Sequence, residues 1–488
     1  MLSTLIAKEL KSILASPKFA ATFAVCSLLI LLSVFIGVQE YRAAVKQYEA
    51  ALQLTDQTLR TQSSWMGFGT TVYRKPDPAQ IFIAGVNNDV GRLSAISQWT
   101  PVKLKNSSYS DDPIFAVFRT IDMAFIVTVV LSLFAILFTY DAINGEREGG
   151  TLQLTFSNPV PRARYILAKL IGSWIGLAVP LLLPVLLGIL IVLLYGIPFT
   201  ADHWMRLGVF LGMALLFFTF FVALGVFLSS LTRRSSASFL IALAAWVTMV
   251  LIVPRLGVMA AGEMKPVPTV AEVESQRDAF SKDRWERHMT GLRGEWEERE
   301  QAMKGMSEAE QETYRDEHMG GWMEQDDLRR KQVQKDIEEY SLRLDEDLRN
   351  RTSAQERLAF TLSRFSPASS FQLASMSLAG TGIGLKTRAE DAMRGYRSAF
   401  TQYVEKKQKE SGGTGGFRIT VDTKKGVQFS APRERGSLDL GDMPAFDVPR
   451  LTFAAAAAPV VIDAGLLALY SLLAFAGAFV AFLRFDVR

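Results

Sequence analysis

Apolar residues in this chain fall in long runs separated by strongly polar stretches. The runs occupy 19–37, 123–140, 170–195, 207–228, 238–259 and 460–483. A helix needs about 20 apolar residues to cross the hydrocarbon core of a bilayer, so the pattern predicts six spans. The third holds Pro180 and Pro184, tolerable where neighbouring helices satisfy the freed carbonyls. The sixth, Val460–Leu483, is rich in alanine and glycine, as close helix packing favours. Ahead of the first run, residues 1–18 place Leu2, Leu5, Ile6, Ile13 and Leu14 on one helical stripe, with Lys8 and Lys11 elsewhere. That stripe predicts an amphipathic helix along the membrane surface, and Pro17 a break before the first span. The first apolar run is long for a signal peptide, and no small-x-small site follows Gly37, so it is expected to stay as a span.

The polar regions carry their own periodicities. In 38–118 a helix is expected from about Gln39 to Leu59, then loop-rich structure around Pro76, Pro78 and Pro101. Residues 262–455 read as a second large polar region. Within 262–355, Trp285, Met289, Leu292, Trp296 and Met303 recur at coiled-coil-like steps, predicting a packed seam on a charged helix. Ser307 and Glu310 form a capping box for a second helix. Gly320-Gly321 is expected to interrupt it before a third bearing Val333, Ile337, Tyr340 and Leu344. The 365–379 stretch, FSPASSFQLASMSLA, is apolar but too short and serine-rich to span, and suits a helix in the membrane interface. A glycine-rich turn at 411–416 precedes FRITVD and VQFSA, which alternate as the strands of a hairpin over 417–431. The fold class is therefore mainly α, a polytopic membrane protein with a mostly helical extracytoplasmic domain and a small β-hairpin.

Charge sets the expected orientation. Lys8, Lys11 and Lys18, then Arg147, Arg162, Arg164 and Lys169 in the 141–169 loop, Arg233 and Arg234, and Arg484 and Arg488 all fall on one side if both termini are cytoplasmic. The two large polar regions then face outside, where Lys103 and Arg255 weaken the bias without reversing it.

Composition narrows the chemistry. A net charge of +4 over 488 residues does not suggest nucleic acid as a partner. The single cysteine, Cys26, cannot form an intrachain disulfide, and three scattered histidines (His203, His288, His318) offer no metal-ligand spacing. The stretch Gly380–Thr387 imitates a phosphate-binding loop, but Leu385 stands where that motif needs glycine before the lysine, and no strand precedes it. Neither a catalytic centre nor a cofactor site is expected.

The remaining oddity is DAINGEREGGTLQLTFSNPVPRARYILAKL, polar and helix-prone, between the second and third spans. Its Gly145, Glu146, Arg147, Glu148, Gly150, Thr151, Leu152, then Ser157, Asn158, Pro159, Val160, Pro161, Arg162, then Lys169, resembles the membrane subunits of type-2 ABC exporters. More narrowly it is similar to the bacterial branch that includes the permease of the nitrous-oxide reductase copper-maturation exporter. The stretches 366–382 and 482–488 resemble members with a large outer insertion between spans five and six. The resemblance implies that 144–156 is a coupling helix entering a separate ATPase, which would hold the ATP and Mg. Glu146 and Glu148 would offer carboxylates, with Arg147 between them. Thr151, Leu152 and Leu154 would pack, and Ser157, Pro159 and Arg162 would close the docking segment. It also implies a second membrane subunit, identical or different, in a bacterial inner membrane. Two other functions fit the pattern: an ATPase-driven mechanotransmitter acting on envelope proteins through the outer helices, or a membrane sensor or scaffold with no ATPase.

Overall fold

The computed structural model describes residues 2–65, 67–98, 102–105, 121–410, 418–422, 426–430 and 438–484. The 411–416 turn, the hairpin's connecting residues and the last four residues lie outside these. Among the described residues, six helices are long and apolar enough to cross a membrane: Pro17–Thr61, Met123–Glu148, Arg162–Leu194, Ala201–Leu231, Ser235–Met264 and Val460–Leu483. They are spans 1 to 6 below.

Pro17 occupies the first turn of span 1, where its missing N–H costs nothing, and the Ser16 hydroxyl accepts the Phe19 N–H at 3.2 Å. The break expected before the first span is therefore a capped helix start, following an N-terminal helix at Leu2–Leu14. Span 1 does not end with its apolar run. It continues through the segment expected as a separate helix and reaches Thr61, 45 residues in all.

Spans 2 and 4 sit deepest, with 61% of their apolar windows buried against 22–33% for the other four. They meet at Gly225, where a Cβ would lie 1.8 Å from Thr139 Oγ1. The absence of a side chain lets the two backbones approach. Gly225→Val is expected to destabilise the protein by about 1–3 kcal/mol through overpacking. A heat-denaturation midpoint equal to wild type would show that the crossing can relax. Spans 2 and 5 each contain a π-helical stretch, Ile126–Leu131 and Val247–Ile252. Trp246 Nε1, just before the second stretch, donates to Ser132 Oγ, just after the first, at 2.8 Å.

The 365–379 stretch does not lie exposed on the surface of the bundle. Pro367–Ala379 is helical and largely buried in the span bundle, with Phe371 stacked 4.9 Å from Phe217 and 5.8 Å from Phe210 of span 4. Its N-cap, Ser366, accepts the Ala368 N–H and donates to the Met249 carbonyl in the π-helical stretch of span 5. Beyond it, Gly384–Glu410 forms a 27-residue helix. This helix packs through Phe400 and Tyr403 on Trp65, Phe68 and a sheet that the loop-rich expectation for 38–118 missed. In that sheet β1 (Gly69–Tyr73) pairs antiparallel with β2 (Leu93–Ser97), in register Gly69 to Ser97. The expected hairpin forms from β3 (Arg418–Asp422) and β4 (Gly426–Ser430), also antiparallel.

Residues 262–455 do not form one domain. Pro254–Ser363 is a compact unit by itself, whereas 364–488 groups with 1–253. In the separate unit, Val270–Met303 pairs with Glu308–Ser363, the latter running through Gly320-Gly321 without interruption. The contact face between them differs from the predicted apolar seam. Trp285, Leu292 and Met303 are half-buried, but Met289 and Trp296 are 52% and 54% exposed. Their neighbours hold the pair instead: Arg277 to Asp345 at 2.6 Å, Arg284 to Asp336, Arg329 to Glu295, and Phe280 stacked 3.9 Å from Tyr340. The pairing face is thus shifted by one helical position and closed by ion pairs.

Candidate functional site

One end of the bundle gathers the N-terminal helix, the 141–165 segment and the ends of spans 4, 5 and 6. The predicted single helix over 144–156 is two short ones, Asn144–Glu148 and Thr151–Phe156. They are divided by Gly149 and by Gly150, whose φ of 71° only glycine adopts without cost. Both are firmly seated. Ser229 Oγ accepts the Ile143 and Asn144 N–H groups at 3.0 and 3.2 Å, and the buried Asn144 amide contacts Thr232 Oγ1 at 2.8 Å. Leu152 is 1% exposed, and Phe156 packs 5.2 Å from Tyr165, which stacks on Phe482 of span 6 at 5.1 Å. The Arg162 guanidinium donates to the Leu483 carbonyl at 2.9 Å.

Glu146 points into the protein, whereas Glu148 is exposed and bonds along the surface. Glu146 Oε1 is 3.1 Å from both Lys8 Nζ and Lys169 Nζ, and its Oε2 accepts the Tyr165 hydroxyl at 2.6 Å. Lys169 Nζ also bonds Glu9 Oε2 at 2.7 Å. A buried carboxylate and a half-buried one are thus bridged by one buried ammonium, the arrangement that makes such groups tolerable out of water. Glu148 serves another helix: its two oxygens accept the Ser235 N–H at 2.9 Å and the Ser235 hydroxyl at 2.8 Å. It thereby satisfies the start of span 5, where negative charge is favoured. The resemblance implied partner contacts for these carboxylates; in this structure both are engaged within the chain.

Sequence periodicity gave no reason to connect Glu9 or Tyr165 with Glu146, because the three lie on different helices. The signal was in the glycines. A Cβ on Gly172 would sit 2.7 Å from Glu9 Cβ, and one on Gly176 would sit 3.3 Å from Leu10 Cδ2. These two, one turn apart on span 3, form the flat strip on which the N-terminal helix lies.

What this end leaves exposed is complementary to what it anchors. Thr151, Ser157, Pro159 and Arg162 are exposed, Arg147 half-buried, and Leu154 is 69% exposed although its neighbour Leu152 is buried. Thr151 Oγ1 donates to the Glu146 carbonyl at 3.2 Å and Ser157 Oγ to the Leu154 carbonyl at 2.7 Å, stiffening the segment from within. Between Thr151–Phe156 and the N-terminal helix lies an open groove of about 550 Å³, with Leu5 and Lys8 on one wall and Leu154, Asn158, Pro159 and Val160 on the other. Among the described residues no cluster of histidine, cysteine or carboxylate side chains could hold a metal ion.

The family model described as ABC-2 family transporter protein matches residues 3–487. Two curated relatives carry the name "Probable ABC transporter permease protein NosY". The one from Stutzerimonas stutzeri is 31% identical over 132 residues, 27% of this chain and 48% of the relative. The one from Pseudomonas aeruginosa is 33% identical over 128 residues, 26% of this chain and 46% of the relative. The matched part spans about half the length of these relatives.

Proposed function

The chain belongs to the ABC-2 family of transporter proteins, and from that premise we propose that it is the transmembrane permease subunit of an ATP-binding-cassette exporter. A separate ATPase, holding ATP and Mg, docks on the 144–156 segment from the cytoplasm. It drives a pair of membrane subunits in the bacterial inner membrane between inward- and outward-facing states. The observation that carries this reading is Leu154. It is 69% exposed on a helix whose other apolar residues, Leu152 and Phe156, pack against the chain, and it lines the open groove opposite Leu5. The groove beside it makes the N-terminal helix part of the same seat.

The test is Leu154→Asp. Because the side chain is exposed, folding should be unaffected, and association with the cognate ATPase in a pull-down should weaken at least tenfold. Undiminished association by a folded variant would refute docking at this segment. Charge reversal at Glu146 is a poorer test, since it acts first on Lys8, Lys169 and Tyr165.

A second reading, force transmission to an envelope protein, is favoured by Trp296 and Met323, 54% and 58% exposed on the paired helices of 254–363. Deleting 270–355 separates the two: retained export by the shortened chain excludes transmission through these helices.

A further inference from the structure

At the end of the bundle opposite Lys169, three arginines lack a carboxylate of their own. Arg206, just inside span 4, is 4% exposed; its Nε donates to the Asp202 carbonyl at 3.3 Å and its Nη1 is buried without a partner. Arg74, 8% exposed, gives its two Nη groups to Asn87, at 2.7 Å to Oδ1 and 3.1 Å to the carbonyl, while its Nε is buried and unpartnered. Arg388 donates to the Gly380 carbonyl at 2.9 Å. Among the described residues, no carboxylate forms an ion pair with any of the three.

The carboxylate nearest in charge to all of them, Asp77, is already occupied. Its Oδ1 accepts the Ala79 N–H at 2.8 Å and faces His203 Nε2 at 3.3 Å. His203 Nδ1 accepts the Thr200 N–H at 3.0 Å, so the ring proton lies on Nε2, toward Asp77. Asp122 spends its carboxylate on the N–H groups of Ala84 and Phe125. The excess of positive charge is visible in Arg74 itself. Burial and the nearby charges of Arg92 and Arg388 pull its pKa down to about 10, against the opposing pull of Asp77. Burial and the charge of Arg206 likewise lower that of Arg388, again against Asp77.

A hydroxyl completes the set. Thr381 is 2% exposed and its Oγ1 has no partner. Its carbonyl accepts the Val86 N–H at 2.9 Å, and Gly85, at φ 49°, comes so near that a Cβ would lie 2.6 Å from Thr381 Oγ1. The loop that follows Asp77 and the loop bearing Thr381, which Arg388 of the next helix reaches at Gly380, are therefore held together. The Gly380–Thr387 stretch follows a helix, not a strand, and serves here as scaffold rather than as a nucleotide cradle.

Buried guanidinium N–H groups and a buried hydroxyl left unpaired are costly, and each calls for an acceptor that the protein does not supply. We propose that this junction binds one oxyanion of the phosphate class, held by Arg206 and Arg388 with the Thr381 hydroxyl, and with Arg74 supplying charge behind them. Guanidinium forks match such oxygens in geometry as well as charge. The position, where the apolar part of span 4 begins at Leu207, is the depth of lipid headgroups, so the phosphate is that of a lipid headgroup or a free ion. This inference does not depend on ATPase docking.

The full chain, purified in a non-ionic detergent and delipidated, is the sample. Two measurements are made: bound phosphorus per chain, and the shift of the heat midpoint in sodium phosphate against sodium gluconate of equal ionic strength. A lipid occupant leaves about one phosphorus per chain in wild type and none in Arg206→Gln or Arg388→Gln. A free ion gives a phosphate-specific rise in midpoint that either variant weakens about tenfold or more. Thr381→Val, which removes only the hydroxyl, should show a smaller loss in the same measurement and guards against misfolding of the arginine variants. Failure of both signals in wild type, or equal signals in wild type and all three variants, overturns the proposal.

Discussion

Replacing Lys169 with methionine is expected to cost about 3–5 kcal/mol of stability, the range for breaking a buried ion pair from one side. The Lys169 side chain is 8% exposed, and those of Glu9 and Glu146 are 11% and 16% exposed. Methionine fills similar volume, so the loss is electrostatic: two carboxylates that shared one ammonium are left in a place where water cannot replace it. Lys8 can answer for Glu146, but it bonds that carboxylate from the exposed side, while the ion pair of Glu9 is with Lys169. The heat midpoint of the purified chain should fall by roughly 5 °C or more. Adding Glu9→Gln to Lys169→Met should recover much of the fall by removing one stranded charge. A midpoint unchanged by Lys169→Met would mean that the cluster holds nothing together.

The second large effect is expected at the other end of span 6. Arg364 binds Asp463 through two parallel bonds, Nε to Oδ1 at 2.7 Å and Nη2 to Oδ2 at 3.1 Å, with Asp463 only 1% exposed. The Arg364 carbonyl also accepts the Tyr470 hydroxyl at 2.9 Å. The residue is thus the pin between span 6 and the start of the buried Pro367–Ala379 helix. Asp463→Ala should cost about 3 kcal/mol, the low end of the range because the guanidinium retains some access to solvent. Asp463→Ala with Arg364→Met should cost less than Asp463→Ala alone. If the single variant melts with wild type, the pair is ornamental and the helix is held by Phe371 and Ser366.

The six spans were legible because nothing but a membrane rewards such long apolar runs. Where the runs ended, legibility ended with them. Span 1 continues from Gly37 to Thr61 on residues that favour helix without being apolar, so a hydropathy boundary was mistaken for a structural one. The serines of 366–375 suggested an interface, yet Ser375 bonds the Phe371 carbonyl at 2.7 Å and Ser366 caps its own helix. A serine satisfied by its own backbone is small and nearly apolar from outside, and packs in a bundle. In 262–355 the aromatic spacing was real, but the pairing face went to the arginines and carboxylates one position away. The 144–156 segment could be located by its motif, whereas the inward turn of Glu146 depended on Lys8, Tyr165 and Lys169, and the tie of Glu148 to span 5 on Ser235, all distant in sequence.

The unbroken helix from Pro17 to Thr61 has a mechanical consequence. At 1.5 Å per residue it is a rod roughly 68 Å long, about twice the thickness of the hydrocarbon core. Near its base Lys18 lies 3.9 Å from Asp141 of the 141–169 segment, and near its far end Leu59 packs in the core with Val72 of β1 and Ile96 of β2. A tilt of about 10° at the base would sweep the tip through roughly 12 Å, on the rod length given by the helical rise. A helix of that length would carry any tilt at its base to the core that holds its far end.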